Sequence, residues 1–280
     1  MLSPAARLAY EQGDLADVVY ADDTLLIGAC AQHVEEFLRA VAAAGRAYGL
    51  DLHERKFQLL QVGCADTIRN NALDPIVASP SMCYLGANLA SDGRVGSELA
   101  RRIGIAKGDF RSLCKVWRHS SLTRARKLEV YRSLVESRLL YGLSTGCYTK
   151  AQLRQIDGFQ ARCLRAILGV LPSHLSRVSN ATVRQQADWK SASSLLLERQ
   201  LVFLCKVVRE DADGPLHQVS FIPGTDQPAT SRYVRKLGRP RKEWISSLMP
   251  EAYRVAGFPL NLDAAVQNKA CWKRMVKSRA

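Results

Sequence analysis

No stretch of this 280-residue chain reaches the roughly 18 consecutive apolar residues that a bilayer crossing requires, and the opening MLSPAARLAYEQGDL has no apolar segment of secretory type. A protein of the cell interior, nucleus or cytoplasm, with no membrane partner, is the expectation. There is no C-x-x-C pair and no close Cys/His grouping of zinc-knuckle type. The eight cysteines are scattered, so reduced thiols packed as small hydrophobes are expected rather than a disulfide framework or a zinc site. A G-x-x-x-x-G-K-S/T loop is missing and no serine is read in a nucleophile-elbow context, which leaves P-loop and serine-hydrolase chemistry without support. His33, His53, His119, His174 and His217 show no ligand spacing with cysteines or acids and read as structural or surface residues. Internal repeats and low-complexity tracts are also lacking.

Positive charge is abundant. Forty Lys/Arg against 26 Asp/Glu leave +14, a surplus that points to a long polyanion such as nucleic acid more readily than to a small acidic metabolite. The surplus is uneven. Residues 1–60 hold five Lys/Arg against nine Asp/Glu, and the remainder holds 35 against 17. An acidic beginning followed by a basic remainder suits a carboxylate site next to a surface that holds phosphates, and a solvated basic surface with no partner is the plainer alternative.

The apolar pattern predicts an α+β chain, mostly α-helical. Residues 17–28, DVVYADDTLLIG, read as a β-hairpin with Asp22 and Asp23 at its tip, and Gln32 to about Tyr48 follows a 3.6-residue period that Gly49 ends. Short strands are expected within residues 50–60 and 81–89, before a turn at Ser91-Asp92-Gly93. Leu99, Ile103, Ala106, Phe110, Leu113 and Trp117 then lay one stripe along a predicted five-turn helix. Its opposite face carries Arg101, Arg102, Lys107, Arg111, Lys115 and Arg118. A helix from Thr123 to Tyr141 is expected to bury Leu128, Tyr131, Leu134 and Val135, and one from Ala151 to Leu168 to bury Leu153, Ile156, Phe159, Cys163 and Ile167. Together these make a small bundle. Helical pattern returns over residues 191–209, followed by a Gly/Pro/Ser-rich linker near 211–231.

Two adjacent acids at a hairpin tip repel unless water, donors or a cation lie between them, and a hard cation such as Mg²⁺ takes oxygen ligands of this kind. Solvated turn aspartates are the ordinary explanation of such a string. Its context gives it weight: Tyr20-Ala21-Asp22-Asp23, a helix, Gly49-Leu50-Asp51-Leu52-His53-Glu54-Arg55-Lys56, Tyr84-Leu85-Gly86 and a basic helical segment follow one another in that order. In that order the chain resembles the reverse transcriptases of non-LTR retrotransposons. Residues 139–142, 159–169 and 238–244 resemble the C-terminal region of the same elements. The resemblance implies three regions: a partial palm over 1–90, a helical thumb-like bundle over 91–170 and a basic, mostly helical region over 171–280. It further implies Asp22 and Asp23 as Mg²⁺ ligands, with Tyr20 beside the primer terminus. Lys56 would stand near the triphosphate as a proton donor to the departing pyrophosphate, and Tyr84, Leu85 and Gly86 would form a primer grip. The implied partners are RNA and DNA as template and primer.

Polymerases of this kind carry fingers and a further palm aspartate ahead of the hairpin. Only 19 residues precede Tyr20, so the expectation is a truncated RNA-directed DNA polymerase, inactive alone, with the missing N-terminal half a further partner if it is encoded upstream. A non-catalytic nucleic-acid-binding remnant and a helical interaction scaffold are the alternatives. The expected nucleic-acid contacts are Arg101, Arg102, Lys107, Arg111 and Lys115, with Arg235, Lys236, Arg239, Arg241 and Lys242 around Gly238-Arg239-Pro240. That second cluster suits a narrow minor groove, a nuclear-import signal or general phosphate affinity.

Overall fold

The computed structural model describes residues 2–222, 225, 227–229, 243–257 and 262–279. It is mostly helical, with small sheets of two strands each. The chain divides into two compact units, residues 1–98 and 99–280. The division is also electrostatic. The first unit carries seven Lys/Arg against 13 Asp/Glu, the second 33 against 13.

In the first unit, α1 (Pro4–Glu11) starts at Ser3, whose hydroxyl accepts from the Ala6 amide, with Pro4 at the first helical position. Strands β1 (Leu15–Tyr20) and β2 (Asp23–Gly28) pair antiparallel, Tyr20 opposite Asp23 and Leu15 opposite Gly28. Period-2 alternation sends Leu15 and Leu26 to one face, where they pack with Ala9 of α1 and with Val34 and Phe37 of α2 (Ala31–Ala47). Tyr10 stacks on Phe37, ring centroids 5.5 Å apart. A 3-10 turn at Glu54–Lys56 leads to β3 (Leu59–Leu60), which pairs parallel with β4 (Ala78–Ser79). Strands β5 (Ser81–Tyr84) and β6 (Ala87–Ala90) form a second hairpin.

The second unit begins in α3 (Gly96–Ser112), and the expected five-turn helix breaks at Leu113, where α4 (Cys114–Arg118) starts. Trp117 nonetheless reaches the core, stacked on Phe110 at 4.9 Å. The next expected helix is three pieces: α5 (Arg124–Val130), a π turn over Tyr131–Glu136, and α6 (Ser137–Leu139). The π turn shifts the helical phase, since each residue there occupies less arc than in an α-helix. Leu134, expected in the core, is therefore 47% exposed, while Tyr131, Val135, Glu136 and Leu139 are buried. Helix α7 (Lys150–Leu168) opens on a Thr149/Gln152 capping box and closes at Gly169, φ 73°. It buries Ile156, Phe159, Cys163 and Ile167 against the preceding helices, and burial pushes the Cys163 thiol up to about 12.

Two helices unforeseen in the sequence follow, α8 (Ser173–Ser176) and α9 (Asn180–Ala187). Buried Arg165 of α7 donates to the carbonyls of Leu171 (2.8 Å) and Val178 (2.6 Å) and to Asn180 Oδ1 (3.0 Å), fastening that segment. Helix α10 (Ala192–Val208) packs its first turns in the same core and its later turns, Leu201 to Val207, in a second core. That second core contains α11 (Pro215–Ser220), α12 (Trp244–Ala256), α13 (Leu262–Gln267) and α14 (Lys269–Arg279). The expected linker near 211–231 is thus partly a docked element: α11 and the fully buried Phe221 sit in it. The described cysteines are free thiols, and no described helix is long and apolar enough to cross a membrane.

Candidate functional site

The Asp22/Asp23 hairpin forms as the sequence predicts. Ala21 and Asp22 make a two-residue connection, with Ala21 forced to φ 53°, a conformation costing an alanine roughly 1–2 kcal/mol. Both aspartates are exposed. On the face away from α1 and α2, Val18, Tyr20 and Ile27 are exposed, 45%, 63% and 52%. The β5–β6 hairpin turns at Leu85 (φ 46°) and Gly86 (φ 73°), the pair of positive φ values that matches the twist of its strands. A hydrogen bond joins the hairpins: the Tyr84 hydroxyl donates to the Val18 carbonyl at 3.2 Å. The Tyr84 side chain, at the start of Tyr84-Leu85-Gly86, is therefore tied to the strand that leads into Asp22, across 66 residues of sequence. Lys56 is exposed at the end of its 3-10 turn, where Asn70 fixes the neighbouring Glu54 by a 2.9 Å hydrogen bond.

Magnesium needs several oxygens in near-octahedral array and surrenders its waters reluctantly. Among the described residues no cluster of three or more His, Cys, Asp or Glu side chains suits a metal. Two exposed neighbours at a hairpin tip do not fit a tight Mg²⁺ site.

The basic face of α3 and α4 differs from its expectation at Arg102, which is buried with its guanidinium 4.5 Å from the Tyr141 ring centroid and so is a packing residue. Lys107 and Arg111 are exposed on α3, Arg101 is half-buried, and Lys115 is exposed beyond the break on α4. Arg235, Lys236, Arg239, Arg241 and Lys242 lie outside the described residues. Gly142-Leu143-Ser144-Thr145-Gly146 has the letters of a nucleophile elbow, which the sequence reading passed over. It forms a 3-10 turn between α6 and α7 rather than a strand-to-helix turn, and the Ser144 carbonyl accepts from Trp244 Nε1 at 2.8 Å.

A buried polar cluster had no sequence signal. Glu136, on the π turn, accepts at one carboxylate oxygen from Trp189 Nε1 (2.8 Å) and Gln160 Nε2 (3.1 Å). Gln160 also accepts from the Ala192 amide at 3.0 Å and donates to the Lys190 carbonyl at 3.1 Å. Burial raises the Glu136 carboxyl above the ordinary glutamate range, although both hydrogen bonds, Arg132 and Arg199 oppose the rise. The cluster locks the start of α10 to α7 and is structural.

No family model, curated protein or solved structure matches the chain.

Proposed function

We propose that this chain is a reverse-transcriptase-type polypeptide of the non-LTR class that, as these 280 residues, holds nucleic acid rather than joining nucleotides. The observation that carries the reading is the Tyr84–Val18 hydrogen bond, which brings Tyr84-Leu85-Gly86 to the Asp22/Asp23 hairpin, as a primer grip beside a palm hairpin requires. The exposed Val18, Tyr20 and Ile27 face supports it further, since a two-stranded sheet is marginal alone and such a face suits a larger sheet. The charge of the second unit supplies the phosphate affinity.

The test uses the full chain and a labelled RNA template annealed to a DNA primer. Binding is expected to persist in chelator, to weaken steeply with salt and to be unchanged by Asp22→Ala, with no primer extension in Mg²⁺. Affinity insensitive to salt overturns the electrostatic reading. Template-primed incorporation that Asp22→Ala abolishes overturns the non-catalytic one.

A further inference from the structure

Helices α10 and α14 enclose an open cleft of about 570 Å³ within the second unit. Arg199, Lys206 and Arg209 line one side, and Lys269, Lys273 and Lys277 the other. All six are exposed. Their spacing puts each set along one side of its helix, at intervals of three, four or seven residues. Glu198 is the one carboxylate of the lining, and it is already engaged by Lys190 at 2.5 Å. Between the two rims lie Val202, Phe203 and Val276. Phe203 is steadied edge-to-face by Trp244, ring centroids 5.6 Å apart.

Six like charges converging on one concavity repel one another, and an ordinary solvated helix face relieves this with acids three or four residues away. Helix α14, KACWKRMVKSR, has no acid at all. The converging field reaches the buried Cys205 beneath the cleft, where Arg209, Lys269 and Lys273 oppose the rise that burial imposes on its thiol. An anion relieves the repulsion, and the dimensions specify its kind. From Arg199 to Arg209 a helix advances about 15 Å. That is far longer than one phosphate and spans several atoms of a strand's backbone, so the rim matches consecutive phosphates of a polyanion rather than a single small anion. Apolar and aromatic atoms between two cationic rims suit bases, which stack on any ring face, while the rims take phosphates.

We infer that the α10/α14 cleft is a groove for a single nucleic-acid strand, with phosphates on the lysine and arginine rims and bases toward Phe203. This rests on the nucleic-acid reading above and locates the binding surface in residues that reading did not include.

The experiment titrates labelled oligothymidylate into the full chain across a salt series. It compares wild type, Lys206→Ala/Lys273→Ala, and Lys107→Ala/Arg111→Ala, which removes the same charge from α3. Alanine suits exposed helix positions, and circular dichroism with tryptophan fluorescence verifies folding. The cleft variant is expected to bind at least about tenfold more weakly, its slope of log affinity against log salt shallower by about 1.4, while the α3 variant changes much less. Inorganic phosphate at constant ionic strength is expected to leave the complex intact. If the cleft variant equals wild type or the α3 variant, the groove is overturned while nucleic-acid binding stands. If inorganic phosphate displaces the strand, the cleft is a small-anion site and the groove is likewise overturned. If wild type itself does not bind at low salt, the nucleic-acid reading fails and takes the groove with it.

Discussion

Replacing Glu136 separates what its two hydrogen bonds contribute from what its buried charge costs. In Glu136→Ala the Trp189 indole N–H and the Gln160 amide lose their acceptor in a site where Gln160 is fully buried. Each orphaned donor costs about 1–3 kcal/mol, and the vacated volume adds to this, so a loss of about 3–5 kcal/mol is expected. Glu136→Gln keeps an oxygen for both donors and removes the charge that burial disfavours, so its cost near neutrality is expected within about 1 kcal/mol of zero. The two variants also differ from wild type in pH dependence. The folded carboxyl titrates above its unfolded value, so the native state binds its proton more tightly. Stability from this group is fully present below the unfolded value and declines as pH rises through the folded one. Glu136→Gln lacks that decline, and its stability relative to wild type must therefore improve on going from acid to neutral. The readout is urea unfolding followed by tryptophan emission, since Trp117, Trp189, Trp244 and Trp272 all lie in the second unit. A loss below about 1 kcal/mol for Glu136→Ala, or a Gln-minus-Glu difference that worsens toward neutral pH, would refute the reasoning.

Four further outcomes are expected. Arg165→Met strips the donors from the Leu171 and Val178 carbonyls and from Asn180 and should cost about 3–5 kcal/mol, with faster hydrogen exchange over residues 169–183. Arg165→Lys should recover little of this, because one ammonium cannot span three acceptors that a guanidinium fork reaches. Tyr131→Phe should be neutral or stabilising by up to about 2 kcal/mol in the same urea assay, since the buried Tyr131 hydroxyl has no hydrogen-bond partner. Tyr84→Phe deletes the bond to Val18 and should cost about 0.5–1.5 kcal/mol, with exchange accelerating in β5 and β6 but not in α7.

What the sequence disclosed was local. The hairpin follows from alternation around a polar pair, α2 from its 3.6-residue stripe, and α7 from a stripe bounded by Thr149, Gln152 and Gly169. Local signals failed where the backbone departed from ideal geometry or the apolar pattern was thin. The π turn moved Leu134 out and Glu136 in, a phase change that no fixed period contains. Helix α9 offers only Val183 and Ala187 to a core, too few to stand out in NATVRQQA, and α11 reads as linker because Gly214 and Pro215 precede it. Of the site, the acids at the hairpin tip were legible. The approach of Tyr84 to Val18 was not, because a contact between distant segments leaves no periodicity. The cleft had half a signal: Lys269, Lys273 and Lys277 repeat every four residues, but nothing in sequence says that Lys206 faces them.

The two units divide the electrostatic work. Acids outnumber bases in residues 1–98, so that unit repels a phosphate backbone, and any affinity has to come from residues 99–280. Several of the second unit's acids are committed within it. Asp109 pairs with Arg138, Glu129 with Arg126, Glu198 with Lys190 and Glu251 with Arg254, while Asp157 accepts from Ser193 at the start of α10. Among the described residues the lining of the α10/α14 cleft holds no acid beyond the engaged Glu198, although the buried Glu136 also attracts Arg199, and at physiological salt the screening length of about 8 Å is shorter than the cleft. Distant charge therefore contributes little there, and the cations within reach of a bound strand set its affinity. Under the proposed reading, strand affinity and the hairpin carboxylates are in this way separable, so Asp22→Ala/Asp23→Ala should leave any binding of nucleic acid unchanged.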